Sequence, residues 1–130
     1  MSSLKQPQIK KGMTMQQVEK VTDLRARVDE INPLVINELK RAAEKHGEKF
    51  NSRHEAFGVL MEELEEATLS HSLLQQCLIK YWDSVKKDEK DIAGKLDEIK
   101  LQAILLAVES IQIAAMACKA QVLEENRKEK

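Results

Sequence analysis

After Pro33 the chain contains no proline, and only Gly47, Gly58 and Gly94 interrupt it. Proline removes a backbone donor and clashes with the preceding turn, and glycine costs the most backbone entropy, so these two residues do most to end helices. A stretch so poor in both is free to form very long helices. Strands would need period-two runs of β-branched or aromatic residues. Such runs are missing, and aromatics make up 3% of the 130 residues. The apolar residues recur instead at helical spacing, in a sequence rich in Ala, Leu, Glu and Lys. These features predict an all-α domain with two long helices, large enough to bury a core.

Helix ends are legible. Residues 1–13 are polar and aperiodic, and read as a flexible tail. Thr14 and Gln17 form a capping box that opens a first helix to about Glu30. Asn32-Pro33 predicts a fresh start, with Asn32 as N-cap and Pro33 at the first helical position. Gly47 stops that helix. Ser52 and Glu55 form a second capping box, and a long helix follows to about Lys87. The polar run KKDEKD turns the chain. A last helix covers about Asp91 to Glu125, and residues 126–130 fray. Residues 14–125 thus form one domain.

Composition excludes several classes. A net charge of −1 sets up no global attraction to nucleic acid or to an anionic membrane. No uninterrupted apolar run reaches the roughly 18 residues of a membrane span. The first residues lack the apolar centre of a secretory signal. A cytoplasmic protein is expected. Cys77 and Cys118 sit in helical apolar patterns and read as buried free thiols. No Gly-rich phosphate loop, serine triad or zinc spacing occurs.

One pattern resists a purely structural reading. Positions 59, 63, 66, 70, 73 and 77 lie on one helical stripe, and their residues are Val, Glu, Glu, Ser, Leu and Cys. Glu63 and Glu66 thus interrupt an otherwise packed face, with Glu62 flanking. In the last helix, Leu101, Ile104, Val108, Ile111, Ala115, Cys118 and Val122 form an apolar stripe. Leu105, Glu109, Gln112 and Met116 form its neighbour. Clustered carboxylates in a core repel one another, and a divalent cation with a preference for hard oxygen ligands relieves the repulsion. A solvated face or interhelical ion pairs fit the same spacing.

The stretch HEAFGVLMEELEEA, residues 54–67, contains EELEE, which resembles the EExxE motif of the all-α nucleoside triphosphate pyrophosphohydrolases, the MazG-like superfamily. Glu109-Ser-Ile-Gln112 occupies the place of that family's second motif, ExxD, and AVESIQIAAMA resembles its phage and prophage members. The likeness spans residues 31–122. It implies an antiparallel helical bundle and Mg²⁺, with Mn²⁺ as a substitute, held by Glu63, Glu66, Glu109 and Gln112. Glu62 and Glu63 would act in catalysis, with Glu62 as a further ligand or an orienter of the attacking water. It also implies a nucleotide as partner, assembly into a homo-oligomer (dimer or tetramer), and hydrolysis of an NTP or dNTP to NMP and pyrophosphate. For a phage protein the compartment would be the bacterial cytoplasm.

Two departures stand out. Gln112 replaces the aspartate of the second motif, and an amide oxygen carries no charge and cannot act as a base. In addition, 42 residues separate Glu66 from Glu109, a longer gap than is usual in the family. A protein that binds a nucleotide without turnover and a purely structural helical oligomer are the rival readings. Lys40, Arg53 and Phe57 are the weak candidates for substrate contact. Arg41 and Lys45 share their surface character, and His54 reads as a first-turn surface residue.

Overall fold

The computed structural model describes residues 6–128, which form three helices: α1 (Met15–His46), α2 (Arg53–Lys86) and α3 (Ala93–Lys128). No strand occurs among the described residues. The chain is all-α, as its sequence predicts. Of the expected tails, residues 1–5 and 129–130 lie outside the described residues. Of residues 6–13, Gln6 and Pro7 contact α1: the Gln6 side-chain amide donates to Asp29 at 2.8 Å and Arg25 Nε donates to the Pro7 carbonyl at 2.6 Å.

The expected break at Asn32-Pro33 does not occur. α1 runs unbroken through both residues, and Thr14 caps the whole of it: its hydroxyl accepts from Gln17 N at 3.1 Å, and the Gln17 side chain accepts from Thr14 N at 2.8 Å. The reason lies in the register. Val18, Val21, Val28, Asn32, Val35, Leu39 and Ala42 follow steps of three, four or seven, and each is buried or half-buried. One face therefore continues across Asn32, which sits on it rather than capping a new helix. Pro33 lies on the exposed side, so the Asp29 carbonyl that loses its helical donor is free to meet water.

α1 ends where expected, at Gly47, whose φ of 84° is in the left-handed range that favours glycine. Ser52 caps α2 by accepting from Glu55 N at 3.1 Å. The second half of that box is missing, because the Glu55 carboxylate accepts instead from Asn51 Nδ2 at 3.0 Å. Asp88, with φ 52°, makes the turn after α2, and Glu89 N closes it by donating to the Ser84 carbonyl at 3.1 Å.

α3 packs along α2 and, over a shorter stretch, against α1. The buried positions of α2 step by four and three from Leu60 through Glu63, Ala67, Ser70, Leu74 and Cys77 to Tyr81 and Ser84. Ala67 therefore takes the place expected of Glu66, which is exposed. Small residues at 67, 70 and 84 allow the two helices a close approach. The core proper is confined to one end, where Val35 and Ala42 of α1, Phe50, Ala56 of α2, and Ala115 and Met116 of α3 meet.

The rest of α2 and α3 leaves apolar surface uncovered. The α3 stripe expected in the core instead faces outward in its first half, with Leu101 55% and Ile104 51% exposed. Counted along the helix rather than as an uninterrupted run, α3 is also long and apolar enough to cross a membrane by length and composition. That corrects the expectation that no segment reaches this length.

Candidate functional site

Next to the core, the second half of α1, the first half of α2 and the second half of α3 enclose a cleft of about 530 Å³. That volume is in the range of small-molecule sites. Glu62 and Glu63 come to it from α2, and Gln112 and Lys119 from α3. Glu62 and Glu63 are adjacent, so the α2 helix turns them about 100° apart. Glu63 is half-buried on the α2–α3 seam and Glu62 is exposed at the cleft edge. Glu109 lies one helical turn before Gln112, half-buried on α3.

The electrostatics are unfavourable as they stand. Burial pushes the Glu63 carboxyl above the usual carboxylate range, and the charges of Glu66, Glu62, Glu109 and Glu38 push it further. Among the described residues, two carboxylate oxygens are buried without a hydrogen-bond partner, Glu63 Oε2 and Glu109 Oε2. The other Glu109 oxygen accepts from Ser70 Oγ at 2.5 Å. Buried acceptors without donors are rare because each forfeits its hydration. A divalent cation takes hard oxygen donors of this kind, and the carboxylates of Glu63 and Glu109 and the amide oxygen of Gln112 are of the type Mg²⁺ or Mn²⁺ accepts.

The fit is partial. Among the described residues, no three His, Cys, Asp or Glu side chains gather around one point. Glu66, expected as a ligand, is exposed, though its charge still acts on Glu63. Mg²⁺ is commonly held by one or two carboxylates and completes its shell with water and phosphate oxygens.

The other candidates separate. Arg53 and Phe57 line a different cavity, formed with the last part of α3. Arg53 is held there by Glu124, with both contacts at 2.7 Å, and the Arg53 guanidinium lowers the Glu124 carboxyl. Phe57 is 66% exposed. Lys40 is exposed and lines neither cavity. Arg41 and Lys45 do reach the first cleft, but Arg41 is paired with Glu38 through Nε at 2.8 Å and Nη2 at 2.5 Å. That pairing holds Glu38 below its ordinary range.

Sequence reasoning missed Phe50, Lys119 and Glu38 of the cleft wall. Lys119 is buried, and its Nζ stands 4.4 Å from the centre of the Phe50 ring. The signal was present: Lys119 is a single charge inside the apolar run AAMACKA, seven residues after Gln112 and so on the same helix face.

No family model, no curated protein and no solved structure matches the chain.

Proposed function

We propose that the protein is a Mg²⁺-dependent nucleotide pyrophosphohydrolase of the MazG-like type, acting in the cytoplasm as an antiparallel helical bundle paired with further copies of itself. The observation that carries this reading is the pair of buried, unpartnered carboxylate oxygens, Glu63 Oε2 and Glu109 Oε2, beside a cleft large enough for a nucleotide. Glu63 and Glu109 would hold the cation from opposite helices, with the Gln112 amide oxygen as a neutral third donor. Bound there, Mg²⁺ would offset charge on the phosphates and lower the barrier to attack by water. Glu62, one residue from Glu63 and open to solvent, would accept a hydrogen bond from that water and orient it. Glu63, whose pKa is raised by burial and by its acidic neighbours, would have to be ionised to take part.

Apolar positions of α2 and α3 left open in a single chain support self-association, since soluble monomers seldom expose extended apolar patches. A second copy covering α3 also suits a helix of that hydropathy in a protein without a membrane role.

The test is incubation with Mg²⁺ and a panel of NTPs and dNTPs, followed by chromatography for NMP and pyrophosphate. Turnover of one nucleotide to its monophosphate establishes the reading. Retention of a nucleotide without turnover favours the sequestering alternative, which rests on Gln112: it faces the cleft as an amide where an ionised aspartate would supply charge. Neither turnover nor binding leaves the structural oligomer.

A further inference from the structure

We propose that Lys119 is the anion-holding residue of the cleft, gripping the phosphate tail of its ligand opposite the carboxylates of α2. The inference deepens the nucleotide reading and rests on it for the identity of the ligand, but the anion site has its own physical case.

Lysine is among the residues least often fully buried unless paired, because taking an ammonium out of water costs several kcal/mol. Lys119 is 4% exposed. Among the described residues it makes no hydrogen bond or ion pair, and its Nζ rests over the Phe50 ring at 4.4 Å. A ring face offers roughly 0.5–2 kcal/mol to a cation, less than the cost of burying the charge. Phe50 is itself buried, so it fixes the lysine from one side and leaves the cleft side open. A lysine with a buried stem and no carboxylate partner, on the wall of a cleft, is suited to hold an anion there.

The other cations of the cleft are placed differently. Arg41 is committed to Glu38 by two hydrogen bonds, and Lys45 stands exposed at the rim. Lys119 does not neutralise the acidic cluster either: it makes no ion pair with Glu62 or Glu63. The cleft therefore carries unrelieved negative charge on one wall and an unpaired buried cation on another. A polyphosphate bearing a divalent cation has the complementary arrangement, with its metal toward Glu63 and its outer phosphate toward Lys119. Burial of the lysine stem, with Ala115 and Met116 one turn before it on α3, holds the ammonium at the cleft wall.

The experiment uses inorganic tripolyphosphate as probe, titrated calorimetrically into the full chain with Mg²⁺ present, for wild type, Lys119→Met and Lys119→Arg. Wild type is expected to bind. Lys119→Met should bind at least about tenfold more weakly at unchanged helical content, the loss typical of a deleted charge-assisted hydrogen bond. Lys119→Arg should recover most of the affinity, which a purely structural role for the stem would not predict of the methionine–arginine pair. A second measurement covers a variant that fails to fold: acetylation of Lys119 in the wild-type chain should slow several-fold when tripolyphosphate is added, while acetylation of Lys40 should not change. Equal binding by wild type and Lys119→Met, no binding by folded wild type, or acetylation of Lys119 indifferent to tripolyphosphate would each overturn the proposal. Lys119-dependent binding of tripolyphosphate without nucleotide turnover would sink the hydrolase reading and leave the anion site standing. Turnover that survives in Lys119→Met would do the reverse.

Discussion

Ser70 Oγ donates to Glu109 Oε1 at 2.5 Å across the α2–α3 seam, while Glu109 Oε2 is buried with no partner. The serine thus supports one oxygen of the carboxylate and leaves the other without a donor. Removing the hydroxyl should destabilise the chain, because the carboxylate loses that donor without regaining full hydration. Ser70→Ala is expected to lose about 1–3 kcal/mol in urea denaturation without divalent cation. Saturating Mg²⁺ should narrow the gap, since a cation on Glu109 supplies what the hydroxyl did. Wild-type stability in the variant would show that the bond does not hold the helices together.

Glu63 yields a prediction with a definite sign. Burial and four neighbouring carboxylates raise its pKa in the folded state above the unfolded value near 4.5. A group raised in this way favours folding most below its unfolded pKa, where it is protonated in both states. That advantage is lost as pH rises through the folded pKa. At neutral pH Glu63 therefore opposes folding when no cation is present. Glu63→Gln should melt higher than wild type at pH 7 in chelator, and the difference should vanish below about pH 4. In activity the same variant should lose at least about a hundredfold, having lost a ligand charge. A variant that melts lower than wild type at pH 7 would mean that Glu63 is relieved by a partner.

How much of this was legible in the sequence depended on whether the signal was local. The capping box at Thr14, the stop at Gly47 and the turn after Lys87 are set by neighbours within a few residues, and all three stand where the sequence places them. Asn32-Pro33 carries an equally clear local signal and was overruled, because the stripe from Val18 to Ala42 keeps its register only if the helix continues. Glu66 failed for a related reason. Two stripes are open to α2 at that point, and which of them packs is decided by α3, whose approach favours the small Ala67. Lys119 was visible as a charge in an apolar run, but its burial and its ring partner Phe50, 69 positions away in the chain, belong to the folded molecule alone.

Pro33 separates the two descriptions of α1. Inside a continuous helix it forfeits the hydrogen bond to the Asp29 carbonyl and strains the turn before it, at a cost of up to about 3 kcal/mol relative to alanine. Pro33→Ala should therefore stabilise the chain, by about 1–3 kcal/mol once partial relief by solvent is allowed for. At the first position of a separate helix, proline is favourable, and the same change would be neutral or harmful. Chemical denaturation of the two proteins side by side reads the difference directly.

The uncovered apolar face makes the last prediction. Leu101, Ile104 and Val108 follow each other at steps of three and four on α3 and are all about half exposed or more, while Trp82 on α2 is 57% exposed. Their placement on the outside is a consequence of the seam: Gln102, Leu106 and Glu109 turn toward α2, and the more apolar stripe is left over. Leaving it in water forgoes about 25 cal/mol for each Å² that a partner could cover. Self-association is the expected outcome, and wild type should sediment as a dimer or tetramer at micromolar concentration without detergent. Ile104→Glu places a charge in the middle of the stripe, where burial would cost several kcal/mol. It should shift the equilibrium to monomer by at least about a hundredfold while leaving the exposed residue's own helix intact. Monomeric wild type would remove self-association as the explanation of the stripe, and recovery of the chain only from detergent-extracted membranes would assign α3 to a bilayer instead.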